Sequence, residues 1–200
     1  MLRSGISGVL AAVLVVAAPV AQDYQPTCRN CPATYIPNQE LQAYITRAKN
    51  RGILDQQVRA LDIGKINAAV GIVHRGKLTA QAPNSVAEHD LVGEVYYILD
   101  GAGTLVTGSD LVGKKRRPAD AENVRMLNGP GNGAASIRDG VSHELKTGDV
   151  IVIPAGTGHV FSKIDDHITY LMLRLDPDKV TPLKTEADSR ADLARFGTKP

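Results

Sequence analysis

The chain contains no tryptophan and only two phenylalanines, and aromatics make up 4% of it, so it offers few rings on which nucleic-acid bases could stack. It also lacks an excess of either charge. Its 23 basic and 21 acidic residues leave a net +2, which creates no broad field for nucleic acid or an anionic membrane surface. Nucleic acid is therefore not an expected partner. No apolar run reaches the roughly 20 residues needed to cross a bilayer. A G-x-S-x-G nucleophile elbow, a G-x4-G-K-[ST] phosphate loop and a dinucleotide-binding glycine fingerprint are all missing, which argues against three common classes of enzyme. Cysteine is scarce as well: Cys28 and Cys31, in TCRNCP, are the only two. Pro32 stands where a c-type haem would need histidine, and no nearby residues complete a zinc site. A local disulfide in an oxidising compartment is the simplest reading.

What is present begins with a targeting pattern. Arg3 precedes the apolar run Val9–Val16, and small residues continue to Ala21, as in a signal peptide covering residues 1–21. The mature chain is thus expected to be secreted or periplasmic, with no stable membrane span after processing. Its length of 200 residues and 43% hydrophobic content suit one globular domain. The pattern divides it into an N-terminal segment over 22–56 with one helix, a barrel over 57–177 and a C-terminal tail over 178–200.

From Pro37 to Arg51 the apolar positions Leu41, Tyr44, Ile45 and Ala48 recur with helical spacing. Asn38 can cap this helix and Gly52 ends it. The period then falls to two. Short segments rich in Val, Ile, Leu and Tyr occur at 57–61, 66–75, 94–99, 104–107, 134–137, 142–145, 150–153, 159–162 and 168–175, separated by Gly, Asp, Asn and Pro. So many short strands without intervening helices predict an all-β antiparallel sandwich or barrel. A connection from Ser109 to Gly133 is far longer than most hairpins need. It reads either as a lid at the barrel mouth or as a tolerated insertion. Its basic run, Lys114 to Arg117, is either solvated charge or a recruiter of anionic substrate. A short helix near 186–195 is expected in the tail.

Two segments carry the chemistry. His89 to Gly101, HDLVGEVYYILDG, fits H-x4-E-x6-G, and Gly148 to His159, GDVIVIPAGTGH, fits G-x5-P-x-G-x2-H. These are the two signature motifs of the cupin superfamily, which the chain resembles. The resemblance implies a jelly-roll β-barrel, with metal ligands at His89, Glu94 and His159. It also implies pairing of two copies. The chain departs from the family at Ala87, where the first motif usually has a further histidine.

Strand geometry supports the same grouping. Residues two apart share a face, so Tyr96 and Ile98 follow Glu94 wherever it points. His159 follows the tight PAGTG turn, which Gly156 and Gly158 permit. Two imidazoles and one carboxylate form the ligand set of a facial triad, which leaves positions open for water, oxygen or substrate. Fe, Mn, Zn and Ni all remain open as the divalent ion. His74 is a candidate to replace the ligand lost at Ala87, because it shares the alternation of Ile66, Ala68, Val70 and Ile72; a hydrogen-bonded core histidine is the competing reading. Gln81 and Glu88 are weaker candidates, and Glu88 should face away from His89 if that segment is extended. His143 and His167 lack motif spacing and read as surface residues. Tyr96 is the candidate catalytic group, able to give a proton to a bound substrate oxygen or orient it; a core tyrosine is the alternative. Two functions follow from this set. One is a metal-dependent oxygenase, isomerase or lyase acting on a small oxygen-bearing substrate. The other is a non-catalytic exported binder of a small ligand with a vestigial metal site.

Overall fold

The computed structural model describes residues 25–28 and 31–196; the signal-peptide reading over 1–21 lies outside them. The first helix, α1, spans Asn38–Arg51. Twelve strands follow: β1 (Asp55–Asp62), β2 (Asn67–Arg75), β3 (Val86–His89), β4 (Gly93–Gly108), β5 (Leu111–Val112), β6 (Lys115–Arg116), β7 (Gly131–Ala134), β8 (Ser136–Ile137), β9 (Val141–Lys146), β10 (Val150–Ile153), β11 (Gly158–Lys163) and β12 (Ile168–Asp176). A π-helical turn, Val124–Asn128, precedes β7, and α2 spans Glu186–Phe196. All strand pairs are antiparallel. This is the expected all-β jelly-roll barrel with an N-terminal helix and a short C-terminal one.

One wall runs β1-β2-β12-β4-β10 and the other β9-β4-β11-β3-β7-β6. Strand β4 serves both. Its first half pairs with β12 and β10, its second half with β11 and β9. The alternation predicted two strands here, 94–99 and 104–107; the backbone instead runs through. The bend comes from a bulge opposite Thr169 and Tyr170 and from Gly101 at φ +81°. A Cβ on Gly101 would lie 2.1 Å from the His167 carbonyl oxygen, so only glycine fits. The extra residue reverses the facing: Tyr96 and Ile98 point inward before the bulge, and Leu105 does so after it.

Between the walls Val73, Tyr96, Ile98, Leu105, Phe161, Ile168, Tyr170 and Met172 form the main core. Two outer clusters seal the backs of the walls. Tyr44 and Ile45 of α1 cover Val58 and Ile72, and a buried Arg59–Glu40 ion pair at 2.6 Å docks α1 on β1. Pro37, with no side-chain hydrogen bond, occupies the N-cap position expected for Asn38. Asn38 is the first helical residue, and it accepts a bond from Gln42 Nε2 instead. Gly52 ends the helix as expected, at φ 65° with its N–H on the Ala48 carbonyl. At the other end Thr185 and Asp188 cap α2 reciprocally.

The long connection folds onto the second wall. Leu111 and Ile137, from the β5–β8 pair, pack on Val86, Ala134 and Val160. Its basic run is engaged structurally: Arg116 pairs with Asp90, and Lys114 lies 3.8 Å from buried Glu88. These two cations brace β6 and its approach against β3.

Candidate metal centre

Four residues of β3 set one side of the site. Alternation turns Ala87 and His89 inward and sends Val86 and Glu88 to the back, where Glu88 takes a hydrogen bond from Asn132. Opposite His89 stands Gly131, where a Cβ would meet the Glu88 carbonyl oxygen at 2.2 Å. Glycine there lets β7 approach closely behind the imidazole.

The second motif reaches the same place by its turn. Gly156 adopts φ +80°, the Thr157 N–H closes the turn on the Pro154 carbonyl, and the Gly156 N–H donates to the His89 carbonyl at 2.7 Å. That last bond ties the two motifs together. Gly158 does not supply the turn's unusual backbone angle, as the sequence reading had it; it is small because a Cβ would strike Leu111 Cδ2 at 2.3 Å. His159 pairs in register with Ala87 and points inward.

His89, Glu94 and His159 thereby converge, each buried, with ligating atoms within 4.8 Å of one another. His89 Nε2 lies 3.4 Å from Glu94 Oε1, and His159 Nε2 lies 3.4 Å from Glu94 Oε2. The His159 Nδ1 sits 3.2 Å from the Thr157 carbonyl, an arrangement that places the proton on Nδ1 and leaves Nε2 free to ligate. Burial raises the Glu94 carboxyl, but His89, His159 and Arg174 outweigh it and hold the group well below the usual carboxylate range. Burial, with His89 nearby, lowers His159 against the opposing pull of Glu94. An ionised carboxylate at Glu94 and a His159 held towards its neutral form suit the binding of a divalent cation. The donor set fits such an ion.

Tyr96 shares the face of Glu94, as alternation predicts, and donates its hydroxyl proton to Glu94 Oε2 at 2.7 Å. Burial and the adjacent carboxylate push the phenol well above its ordinary value. The neutral hydroxyl orients Glu94 and faces the same cavity as the ligands.

His74 is not brought to this cluster. It lies on the opposite face of β2, with Nδ1 2.8 Å from Thr169 Oγ1 and its ring 5.7 Å from that of His167. The apolar alternation it shares, ending at Ile72, faces α1; the barrel interior belongs to the other set, Ala69, Gly71, Val73 and Arg75. Gln81 is outside too, bonded to the Ala135 carbonyl. His143 binds Thr107 on β4, and His167 lies between Asp100 and Asp166.

Three polar residues of the site have no motif. Arg174 stands in register with Glu94, 3.5 Å from it, and pairs with Asp55 and Gln57. Its place on the inward alternation Ile168, Tyr170, Met172 was the available signal. Asn128, from the π-helical turn, lines the cavity with a buried Oδ1 that has no hydrogen-bond partner. A lone asparagine in a polar loop gives no warning of this. Arg75 continues the inward alternation of Val73.

The ligands line a cavity of about 110 Å³. It shares Arg75, Ala87, Tyr96, His159 and Tyr170 with a vestibule of about 390 Å³ whose apolar lining includes Leu78, Leu105, Phe161 and Ile164. A larger groove of about 620 Å³ lies elsewhere, between Arg47, Met126 and Leu183. Among the described residues, the only ligating trio is the one inside the barrel.

No family model and no curated protein matches the chain. Similar solved structures include a Bacillus halodurans protein at 16% identity, covering 81% of this chain and 97% of that one with a TM-score of 0.40. A cupin protein of Bacteroides fragilis is 22% identical over 60% of this chain and 75% of its own, with a TM-score of 0.35. The DMSP lyase DddQ of Ruegeria pomeroyi is 18% identical over 58% of this chain and 42% of its own, with a TM-score of 0.34. The paired motifs, the antiparallel barrel that carries them and the His-Glu-His cluster at its centre give this chain a jelly-roll β-barrel, the fold that its resemblance to the cupins implies.

Proposed function

We propose that the mature protein is an exported metalloenzyme acting on a small oxygen-bearing organic molecule, with a divalent ion held by His89, Glu94 and His159. The buried convergence of those three donors at the floor of an open vestibule carries the proposal. When bound, the ion supplies Lewis-acid polarisation or, if it is redox-active, dioxygen chemistry. The chain's own residues do the rest. Thr157 fixes the His159 tautomer, and Arg174 and Tyr96 hold Glu94 ionised and oriented. Asn128 presents a neutral oxygen acceptor to the same cavity. Tyr96 is the candidate proton donor, since a substrate oxygen that displaces Glu94 from its hydroxyl takes up the same hydrogen bond. Phe161 and Ile164 exclude water from the vestibule wall. Export is supported by the N-terminal pattern and by Cys28 and Cys31, joined as a disulfide with Cα atoms 5.8 Å apart. Pairing of two copies belongs to the same proposal, with light scattering on the mature chain as its measurement.

A second reading, a binder without turnover, draws on Ala87, which leaves the first motif one ligand short. Metal analysis of the mature protein tests the first. Stoichiometric metal, lost in His159→Ala, is the expected result; metal-free native protein whose ligand binding ignores that substitution overturns it.

A further inference from the structure

The two arginines that the fold buries fully are both matched to carboxylates, whereas the half-buried Arg75 is not. Arg59 pairs with Glu40, and Arg174 with Asp55 and Glu94. Arg75 points into the barrel from the end of β2, where it lines both the metal cavity and the vestibule. Among the described residues, no carboxylate lies within ion-pairing distance of it. Its Nε donates to the Tyr170 hydroxyl at 3.3 Å, and its guanidinium carbon lies 5.4 Å from the centre of the Phe161 ring. Those contacts orient the group without neutralising it. A guanidinium stays charged under all ordinary conditions, and charge held away from water is costly unless it is paired.

The surroundings have the same bias. Among the described residues no aspartate or glutamate lines the vestibule, whereas Lys77 does. Arg174 pairs with both Asp55 and Glu94, so the two acids lining the metal cavity bring one negative charge more than Arg174 offsets. Set against Arg75 and a bound divalent cation, that leaves positive charge for an anionic ligand to meet.

We propose that Arg75 is the anion-recognition group of the site, and that the substrate is a small carboxylic acid whose carboxylate meets Arg75 while its apolar body fills the vestibule. The proposal rests on the functional reading above for its location, but its chemistry is separate. The guanidinium fork suits a carboxylate bidentately, Phe161 stacks behind it, and Leu78, Leu105 and Ile164 offer apolar surface to the rest of the molecule. A vestibule of about 390 Å³ suits a molecule at the lower end of the usual ligand range.

The test uses the full mature chain, loaded with zinc and also metal-free. Carboxylic acids of about four to nine carbons, straight-chain and aromatic, are compared with their neutral methyl esters by calorimetry. Acids are expected to bind and esters not. Arg75→Met should weaken the acids about 10- to 100-fold, the loss typical of one charge-assisted pair, and leave zinc uptake unchanged. Arg75→Lys, which keeps the charge but not the fork, should recover part of that loss and guards against a folding defect. Equal binding of acids and esters, no binding by any acid, or full affinity in Arg75→Met overturns the proposal. His159→Ala separates the two ideas: it removes zinc without touching Arg75, so the contrast between acids and esters in the metal-free chain stands or falls independently of the metal.

Discussion

Glu94 has its two oxygens divided among four partners, His89 and Arg174 on one, His159 and Tyr96 on the other. A single carboxylate therefore gathers four polar side chains, and Arg174 is the permanent cation paired with it. Arg174→Met would leave buried Glu94 and half-buried Asp55 without their cation. We expect a loss of about 3–5 kcal/mol in denaturant unfolding, the range for removing one partner of a buried pair. A loss below about 1 kcal/mol would mean that the pair is effectively exposed. His74 makes the opposite prediction. Because it bonds Thr169 behind the wall, His74→Ala should cost about 1 kcal/mol of stability and leave metal affinity within about twofold of the parent. A tenfold loss of metal would contradict its placement.

At the level of elements, the bent strand β4 decides what the barrel interior contains. Gly101 makes the bend, and Ala in its place meets both a strained φ and the His167 carbonyl. Gly101→Ala should destabilise by at least about 3 kcal/mol, measured by urea unfolding, whereas Gly148→Ala has positive φ but open space and should cost about 1 kcal/mol. The same strand marks the limits of reading a sequence. Glu94, Tyr96 and Ile98 were legible as one face because alternation is local. The reversal after Leu99 was not, because a bulge is a property of two paired strands. Strand β3 also escaped notice: four residues, Val86 to His89, with two polar side chains give no alternation to read. His89 and His159 stand out by motif spacing, whereas alternation alone leaves His74 open between a ligand and a hydrogen-bonded core residue, because α1 makes the outside of β2 as apolar as the inside; it bonds Thr169 on the α1 side. Asn128 and Arg174 carry no motif and needed the fold to reveal them.

The whole molecule carries a pH dependence that is independent of the metal centre. His167 sits between Asp100 and Asp166, whose hydrogen bonds raise its pKa above 6.5. A raised value means that the folded state holds its proton more tightly than the unfolded chain. The stabilisation is thus complete below about pH 6.5 and is lost as pH rises through the folded value. The stability gap between the parent and His167→Gln should be largest near pH 5.5 and close by about pH 9. A gap that grows with pH would refute the assignment. The bond from the Gly156 N–H to the His89 carbonyl has a consequence on this same scale. It joins residues that come together only when the barrel closes, so the unfolded chain has no ready-made trio with which to hold the proposed ion. Every tenfold rise in free ion above its dissociation constant then adds about 1.4 kcal/mol to the native state, which makes the melting temperature of this barrel a gauge of the metal content of its compartment.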